Sequence, residues 1–119
     1  MKTIKSELIA FFDVDDTLIM WSGSFDFVTI VDPHTGVRME VSTNRNNITL
    51  LKEKASRGFK VIVWSQGGYA WAEAVVKALG LESQVDYVMS KPTTYVDDLT
   101  VNTWFPQRVW LDPKRRYKS

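Results

Sequence analysis

The chain has 119 residues, 45% hydrophobic and 24% charged, which suits one domain with its own core and argues against intrinsic disorder. It has no cysteine and a single histidine, His34, so disulfides, thiolate metal sites, cysteine nucleophiles and a multi-histidine zinc site within one chain are excluded. A formal net charge of +1 is too small to argue for a nucleic-acid binder, and no run reaches signal-peptide or membrane-spanning character, so a cytoplasmic, non-membrane protein is expected.

Leu8 to Phe12 is a short, continuous apolar run, which predicts a central strand buried on both faces. Trp21 to Ser24 reads as a turn. Phe25 to Val31 and Val37 to Val41 are extended segments around the turn signal Asp32-Pro33-His34-Thr35-Gly36. Together they predict a β-hairpin within about 22–41, placed as a flap that opens and closes over the first strand's end. Thr43 or Asn44 can cap a helix running to Ser56, with Ile48, Leu51 and Ala55 on one stripe and Gly58 as terminator.

Phe59 to Trp64 is a second buried strand, and Gln66-Gly67-Gly68 turns into a helix over Tyr69 to Leu79. Ala72, Val75, Val76 and Leu79 form its apolar face, and Trp71 and Tyr69 fall outside that stripe as candidates for a subunit interface. Gly80 suits the left-handed position after the helix. Further strands are predicted at Val85–Met89, Thr94–Val96 and Gln107–Leu111, with a helical turn near Thr100–Trp104 and core closure by Trp104-Phe105-Pro106. Lys114, Arg115, Arg116 and Lys118 form a basic end that reads as a solvated tail or as a contact for a polyanion. The strand–helix alternation predicts a parallel sheet with helices on both faces.

Polar residues gather where strands end. Asp13, Asp15, Asp16 and Thr17 follow the first strand, Ser65 the second, Lys91 the third, and Asp97 and Asp98 the fourth. In open α/β sheets, ligands bind beyond the carboxyl ends of the strands. Carboxylates converging there would repel one another unless a cation sat among them, and an all-oxygen set favours Mg²⁺.

In this order the four segments resemble the motifs of the haloacid dehalogenase-like superfamily. Phe12-Asp13-Val14-Asp15-Asp16-Thr17-Leu18 is similar to the first motif, Ser65 after Val61-Ile62-Val63-Trp64 to the second, Lys91-Pro92 to the third, and Asp97-Asp98 to the fourth. The resemblance implies a single Rossmann-like α/β domain over residues 1–119, a three-layer sandwich on one central parallel sheet. It also implies Mg²⁺-dependent hydrolysis of a phosphate monoester through an aspartyl-phosphate on Asp13. Asp15 would be acid and base and give its backbone carbonyl to the metal. Ser65, Gln66, Gly67 and Lys91 would bind phosphate, and Lys91 would also be catalytic, pairing with Asp13. Thr17 and Asp98 would support the site, Asp13 and Asp97 would ligate the metal, and Asp16 would have a structural part.

The chain has no room for a large cap domain, so an open site is expected unless another copy covers it, and a homo-oligomer is one way to do so. Trp21, Phe25 and Phe27 line the mouth of the site or pack the hairpin. The substrate expected is a small phosphorylated molecule, with a nucleic-acid end acted on by the same mechanism as the alternative. A non-catalytic binding or regulatory protein of the same fold is a further alternative. A receiver-type signalling domain fits less well, because its acceptor aspartate follows the third strand, where this chain has Ser90-Lys91.

Overall fold

The computed structural model describes residues 1–23, 26–104, 110–112 and 116–118. Strand β1, Ile9–Phe12, lies parallel to β5, Lys60–Ser65, which in turn lies parallel to β6, Tyr87–Ser90. The register sets Phe12 beside Val63 and Ser65 beside Ser90, so the carboxyl ends of all three strands fall on one side of the sheet. The middle strand is therefore β5 and not β1. Val61, Ile62, Val63 and Ser65 are buried, whereas Ile9 is exposed and Ala10 and Phe11 are half-buried.

The expectation of a single central parallel sheet is overturned by a separate, three-stranded antiparallel sheet. It is built from β2, Ile19–Met20, β3, Phe27–Val31, and β4, Arg38–Thr43. The hairpin is present, with Val28 opposite Val41 and Ile30 opposite Met39, and Gly36 completes its turn at φ 73°. Its alternation is that of a sheet with one face dry: Ile30 and Val41 are buried, while Phe27, Thr29 and Val31 are exposed. Because β2 pairs with β4 and α2 (Tyr69–Ala78) packs against β3, the hairpin is part of the core rather than a loose flap. Two residues, Ile19 and Met20, suffice to bind it, and so short a segment carries no period that could be read beforehand.

Asn44 caps α1, Arg45–Ser56, its side-chain oxygen accepting from the Asn47 backbone N–H at 3.1 Å. Replacing Asn44 by alanine is expected to cost about 0.5–2 kcal/mol, readable as a lowered urea midpoint with an unchanged slope. Leu51 from α1 and Ala72, Val75 and Val76 from α2 belong to the same buried cluster as Val61 and Val63. Trp71 also lies in that cluster, at 8% exposure, so its expected place outside the apolar stripe is corrected. It precedes Val75 by one helical turn, and the stripe is wider than the four residues assigned to it.

Thr94–Val96 forms no strand. The backbone there is irregular, and Val96 is 96% exposed. One apolar pair after Pro92-Thr93-Thr94 buries too little to hold a strand at the sheet edge. Val101–Trp104 is the expected helical turn, α3, and Trp104 at its end is exposed. Of the last expected strand, 107–109 lie outside the described residues. Strand β7, Trp110–Asp112, pairs antiparallel with β8, Arg116–Lys118, instead of joining the parallel sheet. Phe25, Phe105, Pro106, Lys114 and Arg115 also lie outside the described residues.

Candidate functional site

The loop after β1 is wound tightly. The backbone N–H groups of Thr17, Leu18 and Ile19 all point to the Val14 carbonyl, at 3.2, 2.9 and 3.2 Å. Val14 is buried, and Asp16 takes a left-handed backbone conformation, φ 56°, which aspartate tolerates better than most residues. The turn leaves Asp13 and Asp15 half-buried and Asp16 exposed. Asn47 holds the loop from behind: its side-chain amide donates to the Thr17 carbonyl at 2.8 Å, and its own side chain is buried.

Asp13 is contacted from two sides. The Lys91 ammonium lies 3.2 Å from Oδ1, and the Thr17 hydroxyl donates to Oδ2 at 3.4 Å. Lys91 arrives from the end of β6, across the width of β5, and its backbone N–H donates to the Ser65 carbonyl at 2.9 Å. The same carbonyl accepts from Gly68 at 3.1 Å. Ser65 itself is fully buried, and its hydroxyl accepts from the Gly67 N–H at 3.0 Å. Gln66 and Gly67 are exposed beside it. A side chain on Gly67 would stand 3.3 Å from both Ser65 Oγ and the Trp71 ring, closer than most such contacts, so the turn is shaped for glycine. The Ser90 hydroxyl accepts from the Tyr69 N–H at 2.9 Å and fixes the start of α2.

Asp15 has partners that sequence reasoning missed. Its Oδ1 accepts from the indole N–H of Trp21 at 3.0 Å and of Trp71 at 3.2 Å. The two indoles are stacked, 13° from parallel with centroids 6.3 Å apart. Asp16 Oδ1 accepts from the Trp21 backbone N–H at 3.2 Å. A wider reading of the α2 stripe would have pointed to Trp71. A polar residue one turn before Leu51 on a buried face would have pointed to Asn47.

The fourth expected group is not assembled. Asp97 and Asp98 are exposed, and Asp97 accepts from the Leu99 N–H at 3.0 Å in a local turn. That bond, and then the neighbouring Asp98, hold the Asp97 carboxyl below its usual range. Because the value is lowered, the turn's share of stability is present at neutral pH and is lost as pH falls through it. Among the described residues, no three acidic or imidazole side chains come together to hold a metal ion. Of the set expected to bind Mg²⁺ (Asp13, Asp15 and Asp97), Asp97 sits in a local turn with no strand before it.

What remains is a half-buried carboxylate paired with a lysine at the carboxyl end of a parallel sheet, beside a second carboxylate held by two indoles. Such a pair can receive an anion, because Lys91 offsets the charge that would otherwise repel it. Among the described residues, no helix is long and apolar enough to cross a membrane. No protein-family model, curated protein or solved structure matches the chain.

Proposed function

We propose that the chain is a phosphate-monoester hydrolase of the haloacid dehalogenase-like type, with Asp13 as nucleophile, working in the cytoplasm on a small phosphorylated molecule or a nucleic-acid end. The observation that supports the reading is the Lys91–Asp13 contact of 3.2 Å, between residues that follow two different strands. A nucleophilic carboxylate needs a cation nearby if it is to approach an anionic phosphate, and Lys91 meets that need.

In this reading an Asp13 oxygen attacks phosphorus while the bond to the leaving oxygen breaks, and a proton passes from Asp15 to that oxygen. Water then attacks the phosphoaspartate, Asp15 takes its proton, and the bond between phosphorus and Asp13 breaks to release phosphate. The two indole N–H groups on Oδ1 of Asp15 leave Oδ2 to carry the proton. In this reading Ser65 and the turn at Gln66 and Gly67 would receive a phosphate oxygen, and the Ser65 hydroxyl, which is buried, would first have to be uncovered. Mg²⁺ would supply Lewis-acid stabilisation of the transferring group through Asp13, the Asp15 carbonyl and Asp97, with Asp98 in support. That set is not brought together here, so the steps above are assigned to the chain's own side chains.

Asp15→Asn tests the division of labour. With p-nitrophenyl phosphate, whose leaving group needs little protonation, phosphoaspartate on Asp13 is expected to accumulate while turnover falls about 10²- to 10⁴-fold. With an alkyl phosphate the burst itself should shrink. Acid quench and peptide mass spectrometry, with and without Mg²⁺, read both effects. Equal loss of burst and turnover on both substrates would remove the acid–base assignment.

A second reading, a phosphate-binding protein of the same fold without chemistry, draws on the unassembled acidic group. The same quench separates the two: binding of phosphate esters with no label on Asp13 would favour it.

A further inference from the structure

Trp21 is 55% exposed, yet its ring is fixed on several sides. Its indole N–H is bonded to Asp15, its backbone N–H to Asp16, and its ring is stacked on Trp71. Trp71 is buried and bonded to the same Asp15 oxygen, so it cannot turn away from the stack. An exposed aromatic side chain usually loses rotamer freedom when something binds to it. Here that ordering is already present. More than half of the residue stays open to solvent although its N–H is on Asp15 and a near-parallel ring lies 6.3 Å away.

The position is as telling as the rigidity. Trp21 is tied to Asp15, the group that serves the leaving oxygen, whereas the phosphate end is marked by Asp13 and Lys91. We propose that Trp21 is a stacking platform for a planar ring in the leaving group. The substrate class is then a phosphate monoester whose alcohol part bears such a ring, as a nucleotide or an aryl ester does. The inference rests on the phosphatase reading for the location of the phosphate, and it deepens that reading by naming the other half of the substrate.

Phosphonates whose P–C bond resists hydrolysis make the test a pure binding measurement. Calorimetry compares a purine nucleoside 5′-phosphonate, ribose 5-phosphonate and benzylphosphonate. The purine compound is expected to bind about 10- to 100-fold more tightly than the ringless sugar, from the usual worth of stacking one base on an aromatic side chain. Trp21→Ala should erase that advantage. Trp21→Phe should keep most of it, because a ring face remains although the indole N–H is lost. A matching gain for benzylphosphonate would assign the platform to aryl esters, and its absence to nucleotides. Equal binding with and without a ring, an advantage that survives Trp21→Ala in a folded variant, or no binding by any of the three would overturn the proposal. Labelling of Asp13 is scored separately. Ring-dependent binding without phosphoenzyme from any ester keeps the platform and removes the hydrolase, while phosphoenzyme without ring preference does the reverse.

Discussion

Replacing Asp13 by asparagine is expected to abolish phosphoenzyme and to lower steady-state hydrolysis by on the order of 10⁴-fold or more, as losses of covalent nucleophiles do. An amide is a poor nucleophile toward phosphorus. The substitution also removes the charge that holds Lys91, which lies 3.2 Å from Oδ1 in the native chain. Stability should change little. Both partners are about one-third exposed, and pairs of that kind contribute modestly to folding. The measurement is a single-turnover experiment with acid quench, set beside a urea titration of the same protein. Full activity in a folded Asp13→Asn protein would remove Asp13 as nucleophile. Lost activity with a collapsed urea midpoint would point to a structural part for the pair instead.

Replacing Trp71 by alanine should produce the largest loss of stability among these variants, about 3–5 kcal/mol, the usual cost of truncating a buried aromatic. That is a large share of the roughly 5–15 kcal/mol by which domains of this kind are stable. Two losses combine: the ring leaves a cavity among Ala72, Val75 and the rest of the buried cluster, and Asp15 loses one of its two indole donors. Trp71→Phe separates them in part, since most of the apolar bulk stays while the hydrogen bond goes, the bond at about 1 kcal/mol with a smaller cavity cost added. Urea midpoints of the two variants read the difference. Near-equal midpoints for alanine and wild type would mean that the ring is not packed in the core.

Asp13 and Lys91 could be found in the sequence because each follows a compact apolar run, and a strand's end is visible when its apolar segment stops abruptly. The same holds for β5 and for α1, whose cap and terminating glycine are both ordinary signals. The antiparallel sheet was hidden for a different reason. Its third member is only Ile19–Met20, and its pairing with Ser42 and Thr43 is a tertiary event without a local mark. Asp97 shows the opposite failure. An acid pair after Tyr95-Val96 looked like a strand end, but two apolar residues do not make a strand, and Asp97 settles into a local turn with Leu99. Trp71 escapes a face drawn through Ala72, Val75, Val76 and Leu79 because the buried side of α2 is wider than four positions, and its hydrogen bond to Asp15 has no local mark in the sequence.

The link from Asn47 to Thr17 bears on how the chain comes to be made. The Thr17 carbonyl receives its partner from a residue thirty positions further on. On a ribosome, the acidic loop is synthesised well before the side chain that secures it, and until α1 has emerged that carbonyl has only water to bond. Closing the loop dry before then would leave an acceptor unsatisfied, at a cost of about 1–3 kcal/mol. The loop that carries Asp13 and Asp15 therefore has its Thr17 carbonyl satisfied by a later helix, whose first turn is itself tied by the bond from the Asn47 backbone to Asn44.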